Sequence, residues 1–131
     1  MLKYILAIPL IMHGLANLAG VIAPWAASLN GFQDAVWLFG HGVKYRSLAG
    51  RASGILWLLS TLMLCGAGIG LLINQTWWAA LAIIGDACSL LVIFLWWKAV
   101  PPGARFGAFF DALLLVALTS PLREQIIASL R

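Results

Sequence analysis

Polar positions along this chain are few and fall in clusters, and the apolar runs between the clusters are long. From Tyr4 to Ala23 the strongly polar residues are His13 and Asn17, with Lys3 before the run and Pro24-Trp25 after it. A second run extends from about Gly54 to Ile73, between Arg51 and Asn74-Gln75-Thr76. A third, Trp77 to Trp97, ends at Lys98, and a fourth runs from about Gly103 to Ser120, before Pro121. A bilayer-spanning helix needs about 20 mostly apolar residues, and each run meets that length. The pattern predicts an all-α membrane protein: a four-transmembrane-helix bundle with spans at about 4–23, 54–73, 77–97 and 103–120 in a single domain, 1–131.

The connections carry their own signals. Trp77-Trp78 and Trp96-Trp97 bracket the third run, and indole rings favour the headgroup zone at both ends of a span. Asn74-Gln75-Thr76 is so short a link that the second and third helices must form an antiparallel hairpin. Pro101-Pro102 cannot continue a helix and separates the third from the fourth. The loop 24–53 holds Phe32, Val36, Trp37, Leu38, Phe39 and Tyr45, too apolar for a free linker. Ala35–Phe39, Gly40-His41-Gly42 and Val43–Ser47 predict a structured loop with a short β-hairpin about a glycine turn, an interfacial helix or re-entrant piece being the alternative. In the tail 121–131, Leu122, Ile126, Ile127 and Leu130 share a helical face, which predicts an interfacial C-terminal helix capped by Ser120 with Pro121 at its first position. Lys3 and Tyr4–Met12 resemble a signal peptide, but the apolar run continues past His13 to Ala23, as a span does.

Composition agrees with the pattern. Hydrophobic residues make up 63% of the 131 and charged residues 9%, against about 25% charged in soluble domains. That excludes a soluble enzyme, a disordered chain and a disulfide scaffold. The net charge of +4 is spread over the ends of apolar runs and not gathered on one face, so it predicts contact with membrane lipids and no nucleic acid. Lys44, Arg46, Arg51, Lys98 and Arg105 lie on the first and third loops, and Lys3, Arg123 and Arg131 on the termini. So small an asymmetry leaves the orientation open. Cys65 and Cys88 lie within apolar runs, form no Cys-x-x-Cys pair and read as small hydrophobes.

Three ionisable residues stand inside the spans: His13, Asp86 and Asp111. A central Asp costs about 2.5–3.5 kcal/mol on insertion scales, which asks for a reason. At about 1.5 Å per residue, His13 lies about 18 Å from the loop end of its span, Asp86 about 16 Å and Asp111 about 12 Å, a slab about 6 Å thick. Asn17 shares a helical face with His13, and Ser89 with Asp86. His13, Asn17, Asp86, Ser89 and Asp111 are therefore the candidates for ligand binding or proton relay in a polar bundle centre. Interhelical hydrogen-bonding glue is the competing account. His41, Lys44, Arg46, Arg51 and Trp57 are candidates for the mouth of such a pocket. No catalytic residue and no metal site are assigned.

The segment Ile11-Met12-His13-Gly14-Leu15-Ala16-Asn17-Leu18 resembles the opening helix of the DoxX-like small four-helix integral membrane proteins. In that family a His-Gly-Leu element is often followed by a lysine; here Asn17 stands near that place. Four spans in this length and Phe109-Phe110-Asp111 in the last helix extend the resemblance. It implies a link to quinone-coupled oxidoreductase complexes and redox partners. Lacking a Cys-x-x-Cys, a haem-binding His pair within one span and a nucleotide-binding motif, the chain fits an accessory or assembly subunit, or a binder of a quinone- or lipid-like molecule. The alternative is a small proton-coupled transporter or a quinone-linked membrane oxidoreductase subunit. A bacterial inner membrane is the expected location, and a larger membrane complex or a homo-oligomer the expected setting.

Overall fold

The computed structural model of the chain describes residues 1–26 and 31–130; parts of the predicted loop (27–30) and of the tail (Arg131) lie outside the described residues. Four long helices carry the chain back and forth: α1 (Leu2–Ile22), α2 (Leu48–Leu72), α3 (Trp78–Leu95) and α4 (Pro102–Thr119), followed by a short α5 (Arg123–Ser129). All four long helices are long and apolar enough to cross a membrane. The chain is thus an integral membrane protein by length and composition, and among the described residues it is all-helical.

Local chemistry sets the ends. α2 starts six residues before the predicted Gly54, because Ser47 takes an extended backbone and its hydroxyl accepts from the Gly50 N–H, a serine N-cap. Pro102 opens α4 at the position where a missing N–H costs nothing. Lys3 reaches across from α1 and donates to Leu72 O (3.2 Å) and Asn74 Oδ1 (2.9 Å), closing the C-terminal end of α2. Ser120 does not cap α5; its hydroxyl oxygen accepts from Leu122 N–H at 3.2 Å, and α5 begins three residues later.

The first loop folds onto the end of α3. Gln33 N–H donates to Ala99 O (2.7 Å) and Leu38 N–H to Leu95 O (2.8 Å), supplying donors to carbonyls a helix end leaves open. Its turn closes through Trp37 N–H to Val43 O and Tyr45 N–H to Ala35 O, both 3.0 Å, with His41 at the tip at φ 58°. The pairing is one antiparallel bridge, Val36 with Lys44, and no strand forms among the described residues. Gln33, whose N–H this register would turn toward Ser47, gives it to Ala99 instead.

Two apolar clusters fill the interior, one at each end. Ala7, Leu10, Leu64, Leu71, Trp78 and Leu118 build the first, and Ile126, Ile127 and Leu130 of the tail pack against it, while Leu122 stays exposed. Phe32, Tyr45, Trp57, Val92, Ile93 and Trp96 build the second, beneath the first loop. Sequential helices pack side by side, α1 on α2, α2 on α3 and α3 on α4. The closing pair, α1 and α4, is the loosest contact in the ring.

Candidate functional site

Between the two apolar clusters lies a polar layer. His13 Nε2 meets Asp111 Oδ1 at 2.7 Å, joining α1 to α4. The imidazole reaches that far because Gly107 carries no side chain; a Cβ there would overlap the His13 ring. Asp86, on α3, lies against Asp111, and both carboxyls are fully buried. Pairing with His13 offsets part of the cost of placing Asp111 in a bilayer. Ser89 Oγ lies 3.4 Å from the same His13 nitrogen. Asn17 Nδ2 donates to Ser60 Oγ at 2.9 Å and, more distantly, to Ser89 Oγ at 3.4 Å. Ser60 in turn donates its hydroxyl proton to Gly85 O at 2.9 Å.

Four of the five predicted centre residues, His13, Asn17, Ser89 and Asp111, join through these contacts; Asp86 lies beside Asp111 but its carboxyl oxygens have no hydrogen-bond partner among the described residues, and Ser60 brings in α2. Ser60 is the member that sequence reasoning passed over. Thr61, next to it, turns its hydroxyl back to Trp57 O on its own helix. The available signal was helical phase: Ser60 stands three residues after Trp57 and four before Leu64, both buried.

A cleft of about 240 Å³ opens onto this layer between α1 and α4. Ala16, Ala19, Pro101, Gly103 and Ala104 form its sides, His13 and Asn17 supply its polar groups, and Phe32 and Trp57 its aromatic wall. It falls just below the roughly 300–1,000 Å³ of pockets for drug-sized ligands, so it suits a headgroup whose tail stays outside. Small residues on both helices keep it open.

The predicted pocket-mouth residues do not frame this cleft. Trp57 belongs to it, but as a buried wall 1% exposed, because the first loop covers it. His41, Lys44, Arg46 and Arg51 are exposed and absent from its lining. His41 sits at the turn tip, and Lys44 in the bridge. Arg46 Nη2 donates to Ala26 O at 2.9 Å, its backbone N–H donates to Asp34 Oδ1 at 2.8 Å, and the Arg51 guanidinium lies 4.6 Å from the Trp25 ring centre. Lys44 and Arg46 ride on a loop tethered to α3 and Arg51 stands in the first turn of α2, so none of these cations joins the lining. Among the described residues, no three His, Cys, Asp or Glu side chains form a metal-holding group. Cys65 and Cys88 are unbridged and half-buried.

No family model, curated protein or solved structure matches the chain.

Proposed function

We propose that the protein holds the polar head of a lipid-like or quinone-like amphiphile in the α1–α4 cleft, as a non-catalytic binding or accessory subunit of a bacterial inner membrane. The observation that carries this is the cleft itself: an apolar and aromatic chamber with two polar side chains, at the loosest seam of the bundle. A seam between spans opens sideways, so a ligand enters from the bilayer with its tail left among the lipids. Interhelical glue explains the hydrogen bonds of the layer but not the space beside them, since a purely structural layer packs to native density. The DoxX-like resemblance supports the same role, with a larger membrane complex or a second copy of the chain as partner.

The test is mass spectrometry of protein purified in gentle detergent, comparing the native chain with Ala16→Trp. Ala16 lines the cleft from an exposed position on α1, so an indole there fills the chamber without disturbing the core. A co-purifying amphiphile that falls at least about tenfold in the variant is the expected result, the loss corresponding to about 1.4 kcal/mol. Equal retention in both proteins places the molecule elsewhere and removes this function.

A further inference from the structure

The cleft's hydrogen-bonding capacity narrows what it takes. Ser60 sets the direction of the chain of bonds: its single proton goes to Gly85 O, so its oxygen accepts from Asn17 Nδ2. Both bonds that Asn17 makes to other side chains use Nδ2, toward Ser60 and toward Ser89. Its amide oxygen is thereby turned away from them, on a side chain 4% exposed that lines the cleft. Among the described residues no donor serves that oxygen. His13 commits Nε2 to Asp111. Phe32 and Trp57, ring centres 6.2 Å apart and nearly perpendicular, give the same chamber two aromatic surfaces. Among the described residues, no Lys or Arg lines it.

We infer that the cleft selects a phenolic head, an aromatic ring bearing a hydroxyl that donates to Asn17 Oδ1, over a ring of the same shape that only accepts. This rests on the proposed binding role and specifies its ligand: of a quinone couple the cleft takes the reduced, hydroxyl-bearing ring. A ring lies against Phe32 and Trp57, and its O–H reaches the amide oxygen. A ring that only accepts buries Asn17 Oδ1 without a donor, and an unmade buried hydrogen bond is expensive. An anionic head meets an acceptor oxygen there and is disfavoured for the same reason.

The experiment compares 4-nonylphenol with its methyl ether, 4-nonylanisole, on the full chain in lipid nanodiscs. Binding is read by tryptophan fluorescence, with Trp57→Phe identifying the reporter. The phenol is expected to bind about tenfold more tightly than the ether, and Asn17→Leu to erase that ratio. Equal affinities for the native chain overturn the phenol selectivity while leaving the cleft a binding site. A preference that survives in Asn17→Leu overturns the assignment to the amide oxygen. If neither probe binds, the binding role falls and the selectivity with it. The native comparison needs no variant, so a poorly folding Asn17→Leu does not rescue the inference.

Discussion

Tyr45 shows how one side chain finishes a helix it does not belong to. The residue four after Gly20 is Pro24, which has no N–H to give the Gly20 carbonyl. Tyr45 Oη, from the first loop, donates to that carbonyl at 3.0 Å. Its ring is fully buried, stacked on Phe32 and edge-on to Trp96. Burial pushes the phenol above its usual range. The folded state therefore keeps Tyr45 neutral where the unfolded chain ionises it. Its contribution is complete below about pH 10 and is lost as pH rises beyond that. Tyr45→Phe is expected to cost about 1–3 kcal/mol near neutrality, by leaving the Gly20 carbonyl without a donor. It is also expected to flatten the decline in stability above about pH 10. Thermal unfolding in detergent at neutral and alkaline pH measures both, and an unchanged alkaline slope in the variant would show that another group governs it. Neither Tyr45's burial nor its partner was legible from the chain, where it read as one more aromatic in an apolar loop. His13, Asn17, Asp86, Ser89 and Asp111 were legible because an ionisable or amide group is conspicuous inside an apolar run; Ser60, a hydroxyl among hydroxyls, was not.

At the scale of helices, small residues decide which faces touch. The Trp57 indole of α2 lies over Gly20 of α1, so close that a Cβ at Gly20 would fall within the ring system. Gly20→Leu is expected to destabilise the protein by about 1–3 kcal/mol, since overpacking a well-filled contact forces side chains off their rotamers. Because Trp57 is also the wall of the cleft, the same variant should weaken ligand binding along with stability. A midpoint of unfolding equal to that of the native chain would mean the two helices part without cost. The early start of α2 belongs to this scale too. Hydropathy sees Ala49 to Ser53 as a mixed stretch beside Arg51, whereas the Ser47 hydroxyl and the Gly50 N–H make it helix. Apolar periodicity locates a span; capping, which depends on single side chains, locates its ends.

For the whole molecule, four antiparallel crossings put the α1–α2 and α3–α4 connections on one side of the membrane and the α2–α3 turn on the other. The sparse cations leave open which side is which. Single cysteines at His41, Lys98 and Gln75, in a background with Cys65→Ala and Cys88→Ala, report it directly. A membrane-impermeant maleimide added to sealed vesicles is expected to label positions 41 and 98 together, and position 75 only after the vesicles are opened, or the reverse. Labelling of 41 and 75 from the same face would break the four-span arrangement. This two-sided order also explains the architecture of the interior: an apolar cluster at each end, one closed by the tail and one by the first loop, with the polar layer midway.

The sequence by itself determined the class, the number of spans, the hairpin between α2 and α3 and the identity of five polar residues in the layer. Those follow from the cost of exposing backbone or charge to lipid, which is paid residue by residue and so is written in the order of residues. Only the tertiary structure decided that His13 pairs with Asp111 and that Asn17 bonds Ser60, that α1 and α4 leave a cleft beside them, and that the loop's cations stay out of its lining. Those outcomes turn on which helix faces meet and how closely, and on a tether between Leu38 and Leu95, residues far apart in the chain. Helical phase along one span says what shares a face; packing against the neighbouring spans says what that face sees.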